Sequence, residues 1–169
     1  MIYLVTGGER SGKSSYAQKL ALELSDSPIY VATARKWDSD FQNRIDRHQQ
    51  ERDERWTNVE EEKYLSKIDF SEKTALIDCV TLWLTNFFVD HKNDVHLSLE
   101  EAKKEFLAIA KQQNTTIIIV TNEIGMGVHA ETHIGRKFVE LQGWMNQFLA
   151  ENADEVVLMV SGIPVKIKG

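Results

Sequence analysis

Residues 7–14 read Gly-Gly-Glu-Arg-Ser-Gly-Lys-Ser, which completes the spacing G-x-x-x-x-G-K-[ST]. The apolar run at residues 2–6 comes directly before this stretch and predicts a buried strand. The residues from Ser14 to Leu22 predict a helix, and its apolar face carries Ala17, Leu20, Ala21 and Leu24. A strand, a glycine loop and a helix N-terminus in this order direct backbone N–H groups and the positive end of the helix dipole at one point. The stretch therefore predicts a phosphate-binding loop.

Each residue type in this loop has a physical role. Gly7 and Gly12 let the chain turn and approach phosphate closely, Lys13 reaches the outer phosphates as a catalytic cation, and the Ser14 hydroxyl can ligate Mg2+. The predicted triphosphate-binding residues are Gly7, Gly8, Glu9, Arg10, Ser11, Gly12, Lys13 and Ser14. We therefore expect a nucleoside triphosphate to bind here together with Mg2+.

The composition is that of an ordinary globular protein of 169 residues, with 42% hydrophobic and 27% charged residues. Since no linker-like stretch divides it, we expect a single nucleotide-binding domain over residues 1–169. The net charge of −6 argues against non-specific binding of nucleic acid. We expect no transmembrane helix and no secretory signal, because the apolar runs are too short. The single cysteine, Cys79, is expected to be buried without a disulfide, which suits a cytoplasmic protein.

Short apolar runs rich in β-branched residues alternate with helix-prone stretches along the chain. The predicted strands are residues 2–6, 28–33, 74–80, 115–121, 155–160 and 163–167. This alternation predicts an α/β fold with a mainly parallel sheet flanked by helices. Ser161-Gly162 predicts a tight turn between the last two strands, which then form a C-terminal antiparallel edge hairpin. Further helices are expected over residues 38–54 and 131–152.

Two polar positions are expected where predicted strands end. Asp78 lies in an apolar run, where an unpaired buried carboxylate would be costly. We interpret it as a metal-binding or water-positioning acid, as in a Walker B strand, with a helix cap as the alternative. Asn122 begins a glycine-bearing loop that we expect to face the nucleotide or a second substrate, since ligands gather at the carboxyl ends of parallel strands. The loop lacks the Asn-Lys-x-Asp sequence of regulatory GTPases, which argues against a switch GTPase.

His48 differs from the other histidines in its neighbours. Arg44 and Arg52 lie four residues to either side and would share its face on a helix, with Arg47 and Arg55 close by. A neutral imidazole there could attack phosphorus while the guanidinium groups hold a polyphosphate. A solvated helix face is the alternative, and the spacing alone favours that alternative.

The other histidines carry weaker signals. His91 and His96 lie in a polar stretch and are expected to face solvent. His129 and His133 have the spacing to share a metal on a helix, but no nearby cysteine or third histidine supports such a site.

Several blocks in order along the chain match one known family. They are Val5–Ser14, Tyr30–Thr33, Arg44–His48 with Trp56 and Glu60, Leu76–Thr81 with Thr85-Asn86, Val120–Gly127, Ala153–Val156 and Val160–Lys168. With these blocks the chain resembles the bifunctional adenosylcobinamide kinase / adenosylcobinamide-phosphate guanylyltransferase family of cobalamin biosynthesis. The phosphate loop is shared with many proteins, whereas Asn-Glu-Ile-Gly-Met-Gly at 122–127 and the ending from Ser161 are far more particular.

The resemblance implies a RecA-like phosphate-loop fold and two reactions. ATP or GTP phosphorylates the hydroxyl of the aminopropanol arm of adenosylcobinamide, and GMP then passes from GTP through a guanylyl-histidine to give adenosylcobinamide-GDP. By position, His48 is the guanylylated nucleophile. The further nucleotide-binding residues implied are Val31, Ala32, Thr33, Gln49, Gln50, Glu51, Arg52, Glu60 and Asp78. Family members are known as trimers, so a homotrimer is also implied.

Two departures from the family pattern leave this interpretation intact. Ala130 stands where relatives often have proline, and Arg47 stands where at least one relative has a second histidine. The alternatives are a simple small-molecule kinase, in which His48 would be incidental, and a non-enzymatic nucleotide-binding switch or assembly subunit.

Overall fold

A computed structural model describes residues 1–35 and 53–169 of the chain. In these ranges the strands are β1 (Ile2–Gly7), β2 (Ile29–Ala32), β3 (Thr57–Glu60), β4 (Thr74–Asp78), β5 (Thr116–Val120), β6 (Glu155–Val160) and β7 (Ile163–Lys168). The α-helices are α1 (Lys13–Leu24), α2 (Val80–Asp90), α3 (Val95–Ala110) and α4 (His133–Asn152), with a short 3-10 helix at Leu65–Lys67. No helix in this part of the chain is long and apolar enough to cross a membrane.

The described strands form one seven-stranded sheet in the order β3-β2-β4-β5-β1-β6-β7. All neighbouring pairs are parallel except β6 and β7, which pair antiparallel. The central strands are short β-branched runs such as Thr-Ile-Ile-Ile-Val in β5, which suits strands covered on both faces. Because β5 lies between β4 and β1, the carboxyl ends of these three strands meet at one edge.

Successive residues of each central strand point to opposite faces and enter two separate cores. On one face, Leu4 and Ile119 pack with α2, α3 and α4, whose largest buried side chains include Trp83 and Phe106. On the other face, Val5 and its neighbours pack against α1. The sheet is therefore the middle layer between two layers of helix, as the alternating pattern predicts.

The C-terminal hairpin is confirmed together with its turn. Ser161 and Gly162 both have positive φ, at 51° and 84°, as a two-residue type I′ hairpin turn requires. The backbone N–H of Gly162 donates to the Ser11 carbonyl at 3.0 Å, so the turn packs on the phosphate loop. The hairpin thus supports the loop as well as closing the sheet.

The predicted elements need three corrections, and one predicted element stays untested over most of its length. The strand β3 was not predicted, because Thr-Asn-Val-Glu is a polar, largely exposed sequence held by its pairing with β2. The run at 74–80 ends as a strand at Asp78, and Val80 already begins α2. Leu24, predicted to lie on the buried face of α1, is 43% exposed because it is the last residue of that helix. The helix expected over 38–54 lies outside the described residues except for Asp53 and Glu54, which are not helical.

The two histidines expected to face solvent differ from one another. His91 stacks on Phe87 with 6.2 Å between ring centroids, and its Nε2 lies 3.1 Å from a carboxylate oxygen of Glu101. The prediction for His91 was therefore wrong, because the C-terminus of α2 is packed against α3. His96 is exposed as expected, although its ring stacks on Trp144 at 5.8 Å.

Candidate active site

A cleft of about 480 Å³ lies at the edge where β1, β4 and β5 end. Its walls come from the phosphate loop after β1, from β2 and the residues just after it, from the end of β4 with the start of α2, and from Val120 and Asn122 at the end of β5. The lining residues are Glu9, Arg10, Ser11, Gly12, Lys13, Ser14, Ser15, Tyr30, Ala32, Ala34, Asp78, Cys79, Thr81, Leu82, Val120 and Asn122. Most of the predicted phosphate loop and Asp78 therefore meet in one cavity.

Glycine is required at two positions of the loop. Gly7 has φ 153°, and a Cβ there would lie 2.6 Å from the backbone oxygen of Met159 on β6. Gly12 has φ 91° and precedes the first residue of α1. Both conformations disfavour any residue with a side chain. The loop is thus shaped so that backbone N–H groups and the N-terminus of α1 face the cleft.

Lys13 is the first residue of α1 and is only 7% exposed. Its ammonium group donates to the backbone oxygen of Gly8. Burial lowers the pKa of Lys13, while the nearby acid Glu9 acts in the opposite direction. A buried cation of this kind gains most from an anionic ligand, because the ligand replaces the lost hydration.

Asp78 ends β4 and is partly buried at the cleft. The Tyr30 hydroxyl donates to Asp78 Oδ2 at 3.1 Å, and the Tyr30 ring packs edge-on against Trp56 with 6.0 Å between centroids. Ser14 lines the same cavity. A hydroxyl and a carboxylate are oxygen ligands of the type that Mg2+ prefers.

The hydroxyl of Ser11 lies inside the loop without a hydrogen-bond partner among the described residues. A buried polar atom left unpaired is costly, and a phosphate oxygen would satisfy it. This atom is independent support for an oxyanion ligand in the loop.

The residues implied on β2 and directly after it fall into three different environments. Ala32 lines the cleft, whereas Val31 is fully buried in the core on the opposite face. Thr33 is also fully buried, and its hydroxyl donates to the backbone oxygen of Cys79 at 2.8 Å. Glu60, at the end of β3, is exposed and does not line the cleft.

Cys79 follows Asp78 and is buried as predicted, although one side of it borders the cleft. Burial raises the pKa of the Cys79 thiol to about 12, with the neighbouring Asp78 carboxylate acting in the same direction. The group is therefore a neutral thiol and a packing residue at physiological pH.

His48, the predicted nucleophile, lies outside the described residues. The same is true of the residues that follow it, Gln49, Gln50, Glu51 and Arg52. Among the histidines that the structure describes, His129 and His133 are exposed. No group of three or more His, Cys, Asp or Glu residues in the described ranges could hold a metal ion.

Sequence reasoning missed an ionic cluster next to the cleft. Arg35 follows the cleft residue Ala34 and contacts Glu62 at 2.7 Å and Asp90 at 2.9 Å, while Lys63 contacts Asp90 at 2.6 Å. Hydrogen bonds from Arg35 and Lys63 hold the pKa of Asp90 well below its ordinary value. The partners come from distant parts of the chain, so no local pattern indicates them.

Comparison with known proteins identifies the family. A family model described as "Cobinamide kinase / cobinamide phosphate guanyltransferase" matches residues 3–167. The bifunctional adenosylcobalamin biosynthesis protein CobU of Escherichia coli (strain K12) is 36% identical, and the match covers 99% of this chain and 100% of that protein. The bifunctional adenosylcobalamin biosynthesis protein CobP of Pseudomonas aeruginosa is also 36% identical, over 98% of this chain and 96% of the relative.

The similarity to a solved structure bears on the fold and not on the activity. The flagellar accessory protein FlaH from Methanocaldococcus jannaschii is 15% identical and superposes with a TM-score of 0.50, over 99% of this chain and 77% of FlaH. The RecA-like phosphate-loop fold implied by the sequence is confirmed. The family model and the two curated relatives together show that the chain belongs to the cobinamide kinase / cobinamide phosphate guanyltransferase family.

Proposed function

We propose that this chain phosphorylates adenosylcobinamide with ATP or GTP and then transfers GMP from GTP to the product, giving adenosylcobinamide-GDP. The observation that carries the proposal is the match over nearly the whole chain to a family described by both activities. The cleft supplies the physical support, because it joins a phosphate loop, a buried lysine and a carboxylate in one cavity.

In the kinase reaction the loop holds the triphosphate. Backbone N–H groups and Lys13 face the phosphates, and the Ser11 hydroxyl finds in a phosphate oxygen the partner it lacks. Ser14 and Asp78 would hold Mg2+. Two protein ligands are enough for this ion, because it usually keeps water molecules and phosphate oxygens as its other ligands. When bound, the ion neutralises phosphate charge. Tyr30 keeps the Asp78 carboxylate oriented toward the cleft.

In the guanylyl transfer the nucleophile would be His48. A nitrogen of its imidazole forms a bond to the α-phosphorus of GTP, the bond from that phosphorus to the α–β bridging oxygen breaks, and pyrophosphate leaves. The phosphate of the first product then attacks the same phosphorus, and the P–N bond breaks to release the histidine. The support is the family position of His48 and the presence of Arg44 and Arg52 at helical spacing.

The test uses GTP labelled at the α-phosphorus. Wild-type protein should retain label after denaturation, and the label should be lost in acid and stable in base, as expected for a phosphoramidate. His48→Ala should retain none, and the matched control His133→Ala, which changes an exposed histidine, should label like wild type. An unlabelled wild-type protein that still phosphorylates cobinamide would favour the simple kinase. Normal labelling of His48→Ala would refute the histidine assignment.

The resemblance extends the proposal to a homotrimer. Sedimentation equilibrium should then give three times the chain mass of 19.4 kDa. A mass equal to one chain at the concentration used for activity would contradict it.

A further inference from the structure

A buried polar network joins α4 to the carboxyl end of β5. The Thr121 hydroxyl donates to Asn146 Oδ1 at 2.7 Å, and Gln142 Nε2 donates to Thr121 Oγ1 at 3.0 Å and to Asn146 Oδ1 at 2.9 Å. Thr121 and Gln142 are both fully buried. The three shared hydrogen bonds restrain these side chains, because a rotation of any one of them would break at least one bond in a buried setting.

This network fixes Asn122 from three sides. Asn146 Nδ2 donates to the Asn122 backbone oxygen at 3.0 Å. Thr81, at the start of α2, accepts from the Asn122 backbone N–H at 3.3 Å and from its side-chain Nδ2 at 3.0 Å. The next backbone N–H, that of Glu123, donates to the Gly7 oxygen at 2.9 Å. Asn122 is thus locked relative to α4, α2 and the phosphate loop at once.

Two polar groups of this arrangement stay unused and border the cleft. Asn122 Oδ1 accepts no hydrogen bond from any described residue, and Thr81 Oγ1, which already accepts two, keeps its own O–H as a donor without a described partner. Thr81 and Asn122 therefore present one donor and one acceptor side by side. Both residues line the same cavity as Asp78 and the phosphate loop, and Asn122 follows β5, the strand between β4 and β1.

The acceptor oxygen decides which ligand fits. Phosphate oxygens are acceptors only, and the groups that the loop offers them, backbone N–H and the Lys13 ammonium, are all donors. Asn122 Oδ1 has a partial negative charge and would repel a phosphate oxygen, which is also an acceptor. A ligand with an O–H or N–H group can instead donate a hydrogen bond to it. An alcohol has one O–H and two lone pairs, and it matches both members of the pair.

We propose that Asn122 and Thr81 bind the hydroxyl of the alcohol that receives the phosphoryl group, and that Thr121, Gln142 and Asn146 are positioning residues for Asn122. The proposal rests on the proposed function, whose kinase substrate is such an alcohol. The alcohol oxygen bonds to the γ-phosphorus, the bond from that phosphorus to the β–γ bridging oxygen breaks, and the hydroxyl proton is released to water. An amide is no base, so Asn122 orients the hydroxyl without taking the proton.

The experiment separates acceptor binding from nucleotide binding. The kinase kcat/KM for adenosylcobinamide is measured at saturating nucleotide and Mg2+, and the Kd of a fluorescent ATP analogue is measured without acceptor. In Asn122→Ala and Thr81→Val, the acceptor kcat/KM should fall by about tenfold or more, as loss of one well-formed hydrogen bond predicts. The nucleotide Kd should stay within about twofold of wild type, and this unchanged value also shows that the variants are folded.

Matched controls test the hydroxyls and the network. Thr81→Ser keeps the hydroxyl and should recover most of the acceptor kcat/KM that the isosteric Thr81→Val loses. For the positioning role, Thr121→Val should lower the acceptor kcat/KM and Thr121→Ser should restore it, with nucleotide Kd unchanged in both. A merely structural role would move the melting temperature without this split between the two ligands.

Two results would overturn the inference. The first is an acceptor kcat/KM that stays unchanged in Asn122→Ala. The second is a rise in the nucleotide Kd and in the Mg2+ concentration needed for half-maximal rate by the same factor as the fall in the acceptor kcat/KM. Wild-type protein that transfers no phosphoryl group to adenosylcobinamide would refute the proposed function itself, and this inference with it. The wild-type assay therefore distinguishes the two failures.

Discussion

Replacing Gly7 with alanine tests the packing beneath the phosphate loop. A Cβ at Gly7 would lie 2.6 Å from the Met159 backbone oxygen and 2.7 Å from Ser11 Oγ, and Gly7 has φ 153°. The clash is with the paired strand β6, so it cannot be relieved by turning a side chain. Overpacking costs about 1–3 kcal/mol and a strained backbone conformation about 1–3 kcal/mol. We expect Gly7→Ala to lose about 4 kcal/mol of unfolding free energy.

The assay is thermal unfolding of the nucleotide-free protein, with Gly8→Ala as the matched control. A Cβ at Gly8 would meet no atom within 4 Å, so that variant should stay within about 0.5 kcal/mol of wild type. For a domain of this size about 4 kcal/mol lowers Tm by roughly 10 °C. If Gly7→Ala and Gly8→Ala melted at the same temperature, the close approach of the loop to β6 would be refuted.

Three further predictions concern packing and charge around the cleft. Asn86→Ala should lower the free energy of unfolding by about 3 kcal/mol, because Asn86 Nδ2 donates to the backbone oxygens of Thr33 and Glu62 and the bond to Thr33 is buried. Asn152→Ala, on the exposed end of α4, should cost far less in the same urea titration. Asp90 has a folded-state pKa below its ordinary value of 3.8 because Arg35 and Lys63 hydrogen bond to it. Its contribution to the free energy of unfolding is therefore present above pH 3.8 and is lost as the pH falls below that value. The Tm difference between wild type and Asp90→Asn should therefore shrink from about pH 5 to about pH 2, and a constant difference would contradict the ion pairs. Cys79, whose thiol has a pKa of about 12, should resist iodoacetamide near pH 8 in folded protein and react in urea, and rapid labelling of the folded chain would disprove its burial.

The parts of the fold that the sequence predicts are those written in local patterns. The spacing from Gly7 to Ser14 predicts the strand-loop-helix unit, and Ser161-Gly162 predicts the hairpin turn, because each depends on a few adjacent residues. The position of Asp78 at the cleft was predicted for a similar reason, since an unpaired carboxylate buried in an apolar run would be costly. The strand β3 has no such signal, because its four residues are held by backbone pairing with β2.

The parts that could not be predicted depend on partners far apart in the chain. Tyr30 contacts Asp78 across 48 positions, and Gln142 contacts Thr121 across 21, and neither contact leaves any periodicity in the sequence. The sequence also draws attention to Val31, but strand alternation puts its side chain in the core and leaves Ala32 at the cleft. Pairing between strands decides which side of the sheet each residue faces, and the local pattern does not.

The most direct test of the whole account follows the product by mass spectrometry after incubation with adenosylcobinamide, GTP and Mg2+. Wild-type protein should convert the substrate to its phosphate and then to adenosylcobinamide-GDP. His48→Ala should stop at the phosphate, and Lys13→Ala should form neither product, because both reactions need the triphosphate held by the loop. Formation of adenosylcobinamide-GDP by His48→Ala at the wild-type rate would contradict the account.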